Sequence, residues 1–281
     1  MLSPKQISFL TLLILFTISV FGQHENDCQK MGLKGKVKTM TQITYKASGT
    51  PGNVKKQYRG EWISWTFNEQ GNKTEEKRFD AYSGRLEERT VFSYDSAGYL
   101  TTEKNYGQDS LLLSTSVFKY DSAGNRKGEL IYEKVKLTTV YNWKFDNRGN
   151  SIEMNGYNLE NNIPHFIRET YEYDEHNKMI MDSTEHQTGN SCMRYSYKYD
   201  SNGKITEKKC IFTGVNENYE NSTTYRYDKK GNLQEENYCG PKGNSIDKST
   251  YTFDADFNWV NKLTVESGNP LTITERIIEY F

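Results

Sequence analysis

Polar and apolar positions alternate with a period of two through most of this chain. In one typical stretch Tyr195, Tyr197 and Tyr199 alternate with Ser196 and Lys198. Because successive side chains of a β-strand point to opposite faces, this pattern predicts strands with one apolar and one polar face. Short segments rich in Asp, Gly and Asn interrupt the alternation, which predicts tight turns between the strands.

The predicted turns recur at an almost constant interval, which identifies a tandem repeat. Eight aromatic residues that precede a turn are spaced 27, 26, 25, 28, 26, 28 and 26 residues apart. Since residues i and i−2 share one face of a strand, two ladders of rings should line one side of an antiparallel sheet. The aromatic marker residues are Phe67, Tyr94, Tyr120, Phe145, Tyr173, Tyr199, Tyr227 and Phe253. The residues two positions earlier are Trp65, Phe92, Phe118, Trp143, Tyr171, Tyr197, Tyr225 and Tyr251.

Each copy of the repeat is predicted to form one β-hairpin. An Asp at the first turn position accepts hydrogen bonds from nearby backbone N–H groups, and a Gly three residues later adopts positive φ. Phe257 takes the place of this Gly in the last copy, so we expect that turn to differ in type or register. The copies with aromatic, Asp and Gly markers are Tyr94, Asp95, Gly98; Tyr120, Asp121, Gly124; Phe145, Asp146, Gly149; Tyr199, Asp200, Gly203; and Tyr227, Asp228, Gly231.

The predicted fold is all-β, with tandem β-hairpin repeats that form a long, curled or spiralling antiparallel sheet. A sheet with one aromatic face cannot leave that face in water, so it must curl into a spiral or barrel, pack on itself or dimerise. Residues 36–45 and 272–281 predict a leading and a closing strand, and residues 157–164 and 214–221 predict loops. We expect no helix after residue 22 and no second domain.

The first residues have the build of a secretory signal peptide. Lys5 precedes an apolar run from Ile7 to Phe21, and small residues then lead to a cleavage point before Gln23. An uncleaved membrane anchor is the alternative. The predicted organisation is a signal peptide over residues 1–22, an N-terminal segment over 23–35 and a repeat domain over 36–281, with no transmembrane segment after signal removal.

Composition narrows the classes of partner. The net charge is −1, the pI is about 6.5 and the mean hydropathy is −0.86. Bulk charge therefore predicts neither nucleic-acid nor anionic-membrane binding. The chain has no CxxC pair for a zinc site, and we expect one disulfide among its last three cysteines in an oxidising compartment. Sequence does not choose among the pairings of Cys28, Cys192, Cys210 and Cys239.

The sequence contains no convincing catalytic, cofactor or metal site. Asp254, Asp256 and Asn258 have alternating spacing, but turn capping explains them better than a calcium loop does. His186 and Cys192 are close in the chain without the third group that a cysteine hydrolase needs. Charged second strands such as residues 73–77 argue against an outer-membrane barrel, because they cannot form a lipid-facing apolar band.

Aromatic rings offer a candidate ligand surface. Trp65 and Trp143 are the candidates for stacking against a sugar, and the alternative is that they form the core of the curled sheet. Adjacent acids such as Glu75 and Glu76 should point to opposite faces, so they do not form a glycosidase pair. We expect binding to involve the irregular loops between hairpins.

The turn motif resembles the YD repeat, also called the RHS repeat. YDKKGNL from Tyr227 is nearly consensus, and YDSNGKI from Tyr199 and YDSAGN from Tyr120 are close to it. Large members of that family wind their repeats into a β-sheet shell around a toxin domain, and others are surface proteins described as carbohydrate-binding. This chain lacks room for an enclosed toxin, so its resemblance is to small secreted bacterial members.

The resemblance and the signal peptide imply a secreted, periplasmic or cell-surface protein of a bacterium. The predicted function is a non-catalytic binding module at the envelope, with a cell-surface glycan as its candidate ligand. The first alternative is a structural shell or assembly subunit that holds an envelope protein. The second is a hydrolase whose active site lies in the loops.

Overall fold

The computed structural model describes residues 25–50, 52–159, 165–186, 191–215, 217–241 and 243–281, without the side chains of residues 165, 166 and 186. One short helix and 18 strands account for most of these residues. The elements are α1 (Asp27–Lys30), β1 (Val37–Thr50), β2 (Asn53–Phe67), β3 (Lys73–Phe79), β4 (Leu86–Tyr94), β5 (Leu100–Gly107), β6 (Leu112–Tyr120), β7 (Arg126–Glu133), β8 (Lys136–Phe145), β9 (Ser151–Asn158), β10 (His165–Tyr173), β11 (Met179–His186), β12 (Ser191–Tyr199), β13 (Ile205–Gly214), β14 (Asn218–Tyr227), β15 (Leu233–Gly240), β16 (Gly243–Phe253), β17 (Trp259–Glu266) and β18 (Asn269–Tyr280).

The strands form a closed antiparallel barrel. Every strand pairs with its neighbours in the chain, and β18 pairs with β1 from Val37 opposite Tyr280 to Lys46 opposite Thr272. The predicted all-β class is confirmed, whereas the predicted open, spiralling sheet is wrong. Closure pairs the two terminal strands, whose N–H and C=O groups an open sheet would leave exposed along its edges.

The terminal strands and loops differ in length from the prediction. β1 continues to Thr50 and β18 begins at Asn269, while β14 begins at Asn218 and shortens the loop predicted over residues 214–221. The predicted signal peptide and most of the loop over residues 157–164 lie outside the described residues.

Asp-capped turns close the hairpins at one end of the barrel, here called the marker-turn end. After β4, the Asp95 N–H donates to the carbonyl of Tyr99 at 2.9 Å, and the Gly98 N–H donates to the carbonyl of Asp95 at 3.1 Å. The Asp95 carboxylate accepts from the N–H groups of Ala97 and Tyr99, both at 2.9 Å. Gly98 has φ of 87°, and the strand pairing shifts register at Tyr94. The opposite end of the barrel, here called the loop end, carries the connections between hairpins.

The last turn keeps this geometry, so the expectation of a different turn at Phe257 is wrong. Phe257 adopts φ of 63°, and its N–H donates to the carbonyl of Asp254 at 3.3 Å. The neighbouring Asn258 is held from outside the turn: its side chain accepts from the Lys34 N–H at 2.8 Å and donates to the Lys34 carbonyl at 2.9 Å. Such surrounding contacts are what allow a bulky residue to persist at positive φ.

The N-terminal segment contains a helix, which the sequence did not predict. Asn26 and Gln29 form a reciprocal capping box around the single turn of α1. The Cys28 N–H donates to the carbonyl of Gly71 at 2.9 Å, and Asp27 accepts from the Lys73 N–H at 2.8 Å. Burial raises the pKa of the Cys28 thiol to about 11. The segment is thereby fixed against the marker-turn end.

The expected disulfide is absent, since all four cysteines are free. Cys210 is buried and lies on the same face of the sheet as Tyr195, its partner on β12. Cys192 and Cys239 lie on the opposite face, on β12 and β15, which are about 14 Å apart at the usual strand spacing. That separation is too large for a disulfide bond.

Candidate binding surface inside the barrel

The aromatic ladders face the interior of the barrel. The marker rings and the rings two residues earlier are buried or half-buried. The residues between them are exposed in seven of the eight copies, for example Ser93, Lys119, Lys198 and Arg226. Side chains crowd on the concave inner face of a closed barrel and spread apart on its convex outer face. The more buried face is therefore the inner one. The Cys28 and Leu33 side chains pack against the rings of Trp65 and Phe67, which places part of the N-terminal segment inside the marker-turn end.

The interior is wide. A barrel of 18 strands at the usual strand spacing and tilt has a backbone diameter of about 35 Å, and barrels of this strand number enclose an open lumen. In agreement, large inward rings such as Tyr225, Tyr251 and Trp259 are half-buried rather than fully buried.

A belt of charged side chains lies directly beside one of the two ladders, the one formed by the rings two residues before the markers. Trp65 pairs with Glu76, Phe92 with Glu103, and each later hairpin repeats the arrangement. Paired residues of an antiparallel sheet point to the same face. The eight belt residues are Glu76, Glu103, Glu129, Met154, Asp182, Lys208, Glu236 and Lys262. The inner wall therefore combines flat rings with carboxylates and ammonium groups.

Ion pairs neutralise the belt between β3 and β7. Glu76 accepts from the indole Nε1 of Trp65 at 2.9 Å and pairs with Arg78 at 3.0 Å and Lys73 at 3.4 Å. Arg126 pairs with Glu129, and its guanidinium lies 4.2 Å from the ring centroid of Phe118. Between these pairs, burial raises the pKa of Glu103 above its ordinary value.

Tyrosine hydroxyls hold the acids between β10 and β13. Tyr171 donates to Glu169 at 2.6 Å, and Tyr197 donates to Asp182 at 2.5 Å. Burial raises the pKa of Asp182. The Nζ of Lys208 lies 4.0 Å from the ring centroid of Tyr195, and its charge also acts on the carboxylate of Asp182.

The arc from β15 to β18 carries both charges without direct pairing. Glu236 pairs in register with Asp247, and Lys262 with Tyr251. Burial raises the pKa of Glu236 and of Asp247. The guanidinium of Arg276 lies 3.4 Å from the ring centroid of Trp259.

Small polar side chains line the wall nearer the loop end. Thr90 donates to Asn105 at 2.7 Å, and Asn105 donates to Ser114 at 3.1 Å. The hydroxyls of Thr44 and Thr274 lie 3.1 Å apart. The lumen thus changes from aromatic and charged near the marker turns to small and polar near the loops.

The two predicted ligand-stacking residues both face inward but lie far apart in the strand order. Trp65 on β2 is only 9% exposed and packs against Met40 and Cys28. Trp143 on β8 is half-buried, with the Arg126 guanidinium 4.8 Å from its ring centroid. A stacking role for either residue stays a prediction.

Turn capping occupies two of the three candidate calcium residues, Asp254 and Asn258. Asp254 accepts from the Asn258 N–H at 2.8 Å and from the Tyr280 hydroxyl at 2.6 Å. Within the described ranges, no group of three or more His, Cys, Asp or Glu residues has metal-binding geometry. The side chain of His186, which the sequence places near Cys192, lies outside the described residues.

A spacing signal for the belt is present in the sequence, although the sequence-based prediction did not use it. Each belt residue comes eleven positions after the aromatic residue with which it pairs, as Glu76 follows Trp65 and Lys262 follows Tyr251. The turn geometry fixes this distance, because the three-residue connection sets which residues pair. Seven of these eight positions are charged, which identifies charge as a property of the inner wall.

The outer wall carries ion pairs at mid-height. Glu153 pairs with Lys144 at 2.6 Å and with Arg168 at 2.7 Å, and Lys198 pairs with Glu207 at 2.8 Å. Glu75 points outward to Arg89 at 2.5 Å, while its neighbour Glu76 points inward. Adjacent acids therefore lie on opposite faces, as predicted from the strand period. The described helix is not long and apolar enough to span a membrane.

Comparisons with known proteins show only general likeness. No protein-family model matches the chain, and no curated protein matches it. Among solved structures, a porin-like protein from Bacteroides uniformis is 8% identical with a TM-score of 0.42, over 88% of this chain and 98% of that one. A porin-like protein from Bacteroides vulgatus is 12% identical with a TM-score of 0.41, over 85% and 98%. The TcdB2-TccC3 structure is 12% identical with a TM-score of 0.37, over 81% of this chain but 15% of that one.

Proposed function

We propose that this protein is a non-catalytic binding protein of the bacterial envelope that holds a carbohydrate inside its barrel. The proposal includes export through residues 1–22 and membership of the YD-repeat family, which the eight marker turns support. A water-facing location is supported by the outer wall, because ion pairs such as Glu153 with Arg168 cannot form a lipid-facing band.

One observation carries the proposal: the inner wall repeats a ring and a charged group in almost every hairpin. Sugar rings pack against aromatic faces, and sugar hydroxyls hydrogen-bond to carboxylates. Acids such as Glu76 and Asp182 already accept bonds from Trp65 and Tyr197, so they are positioned as acceptors rather than as a catalytic pair. This combination supports binding in preference to turnover.

A pair of adjacent residues on β14 offers a test of where the ligand binds. Thr223 shares the inner face with Tyr225, and Thr224 is exposed on the outer face. The purified chain is screened on a glycan array, and the affinity for each bound glycan is then measured by calorimetry. We expect Thr223→Trp to weaken binding about fivefold or more by covering the inner wall beside Tyr225, and Thr224→Trp to leave it unchanged.

Two results would contradict the proposal. If no glycan binds the folded chain, the carbohydrate assignment is wrong. If Thr224→Trp weakens binding while Thr223→Trp does not, the site lies on the outer wall.

A second candidate function is a shell that holds a partner protein. Exposed apolar residues at the tips of several loop-end connections favour it: Tyr82 is 80% exposed, Leu111 63%, Val135 93% and Val215 69%. These tips place apolar side chains in the loops around one mouth of the barrel, and loops are where binding residues are concentrated. A stoichiometric partner that copurifies from the native envelope, and is lost on Val135→Ser, would favour this function over the first.

A further inference from the structure

Two cations on the adjacent strands β17 and β18 of the inner wall lie beside aromatic rings. Arg276 on β18 donates from Nε to the amide oxygen of Gln42 at 3.0 Å, and its guanidinium lies 3.4 Å from the ring centroid of Trp259. The Nζ of Lys262 on β17 lies 6.0 Å from the ring centroid of Tyr251. Neither cation takes part in any ion pair among the residues that the structure describes.

The inward cations between β3 and β7, in contrast, form ion pairs with carboxylates. Lys73 and Arg78 share Glu76, and Arg126 pairs with Glu129. Burial lowers the pKa of Lys262, and it lowers that of Arg276 to about 10. The carboxylates of Glu236 and Asp247 act on Lys262 from a distance, whereas the charged neighbour that acts on Arg276 is the Tyr251 hydroxyl. An unpaired charge in a desolvated position costs free energy, so Arg276 lacks an anion that would offset this cost.

The surroundings of the two cations define the shape of the ligand. Tyr251 and Trp259 meet edge to face with ring centroids 5.9 Å apart, which gives an apolar floor. Glu236 and Asp247 lie on the neighbouring strands β15 and β16, and the buried Oδ1 of Asp247 has no hydrogen-bond partner in the described part of the chain. The same arc therefore offers acceptors for hydroxyl groups beside donors for an anion.

We propose that the arc of Arg276, Lys262 and Trp259 binds the carboxylate of an acidic sugar such as a uronic acid. The flat fork of the Arg276 guanidinium matches a carboxylate, Lys262 adds a second positive charge, and the ring stacks on Trp259 or Tyr251. Hydroxyl groups of the same sugar donate to Asp247 and Glu236. This inference rests on the proposed carbohydrate function and narrows it to anionic glycans.

Calorimetry with a matched set of oligosaccharides tests the inference. The probes are a galacturonic-acid trisaccharide, its methyl ester and a sulfated trisaccharide of the same length. We expect the free acid to bind about tenfold more tightly than the ester, and Arg276→Met to abolish that difference. Lys262→Met should reduce the difference in part. Lys248→Met removes the same charge from the exposed outer face and should leave affinity unchanged.

A stability measurement separates binding from a structural role. Because Arg276 is desolvated without an acid partner, Arg276→Met should unfold at the same temperature as the unchanged chain or above it. If Arg276→Met does not fold, Lys262→Met provides the test by itself.

The possible failures are distinguishable. If ester and acid bind equally, the inference is wrong while the proposed carbohydrate function stands. If the sulfated probe binds more tightly than the acid, the assignment to a carboxylate is wrong. If none of the probes binds, and the glycan array is also empty, the proposed function fails together with the inference.

Discussion

Glu235 and Glu236 are neighbours in the chain, yet their carboxyl groups differ in pKa because they face opposite sides of the wall. Glu235 points outward, and its hydrogen bond from Asn237 and its ion pair with Lys248 lower its pKa. Glu236 points into the lumen, where burial raises its pKa. The strand period of two thus places one acid in an environment that favours its charge and the next in one that opposes it.

These shifts predict stability changes of opposite sign. Glu236 binds its proton more tightly in the folded chain, so its contribution is most favourable below pH about 4.3 and is lost as the pH rises. Glu236→Gln should therefore raise the free energy of unfolding at pH 7, with the gain shrinking toward pH 4. Glu235→Gln should lower that free energy at pH 7, with the loss shrinking as the pH falls. Urea unfolding from pH 7 to pH 3 measures both, and changes of the same sign at pH 7 would contradict the assignment of faces.

Phe257 offers a second prediction at the residue scale. It holds φ of 63° and its side chain is 63% exposed, so the ring contributes little burial to offset the backbone cost. Phe257→Gly should raise the free energy of unfolding by about 1 kcal/mol, measured by urea denaturation. The opposite change at an equivalent turn, Gly203→Val with φ of 82°, should lower it by more than about 1 kcal/mol. An unstable Phe257→Gly protein would show that the ring is needed for packing.

At the scale of elements, three marker tyrosines join their hairpin to the one before it. The hydroxyl of Tyr227 donates to the carbonyl of Ile205 at 2.8 Å, and Tyr120 and Tyr199 make the same bond to Leu100 and Met179. Each acceptor is the first residue of the second strand in the preceding hairpin. Tyr94 instead donates to Asp27 at 2.9 Å, because α1 occupies that position. The marker position therefore stabilises the pairing of neighbouring strands as well as the inner packing.

Removing one such hydroxyl should have a measurable cost. Tyr227→Phe leaves the ring in place and leaves the Ile205 carbonyl without this donor, so the free energy of unfolding should fall by about 1 kcal/mol. Tyr82→Phe, at an exposed loop position, is the matched control and should change it by less than about 0.5 kcal/mol. Equal effects of the two changes in urea denaturation would mean that the hydroxyl bond does not join the hairpins.

The hairpins were predictable from sequence because their causes are local. The alternation in residues 195–199 and the Asp and Gly of each turn determine strand, face and connection within about a dozen residues. The inner belt was predictable in principle, since eleven residues separate Phe92 from Glu103 as they separate Tyr251 from Lys262. The helix at Asp27 was not, because a single turn has too few residues for a periodic pattern, and its place depends on contacts with Gly71 and Lys73.

At the scale of the whole molecule, closure depends on the sum of many small strand tilts and staggers. No single residue encodes that sum, which is why the sequence left a spiral, a barrel and a dimer open. The register between β1 and β18 places Met40 opposite Ile278 and Val37 opposite Tyr280, so the terminal strands continue the inner face. Closure thereby turns a repeated aromatic stripe into an enclosed surface, on which the proposed ligand site depends.

A designed disulfide between β1 and β18 tests closure most directly. Thr41 lies opposite Ile277, and both the pairing and the 63% exposure of Ile277 place this pair on the outer face. In a background with Cys192→Ser and Cys239→Ser, Thr41→Cys with Ile277→Cys should form an intramolecular disulfide on mild oxidation, because directly paired strand residues are close enough to bond. Thr41→Cys with Lys198→Cys is the control pair and should remain reduced. Mass spectrometry of the oxidised protein identifies the bonds that form. The closed barrel predicts a bond within one chain between the cysteines introduced at positions 41 and 277. Reduced thiols, or bonds only between chains, would contradict it.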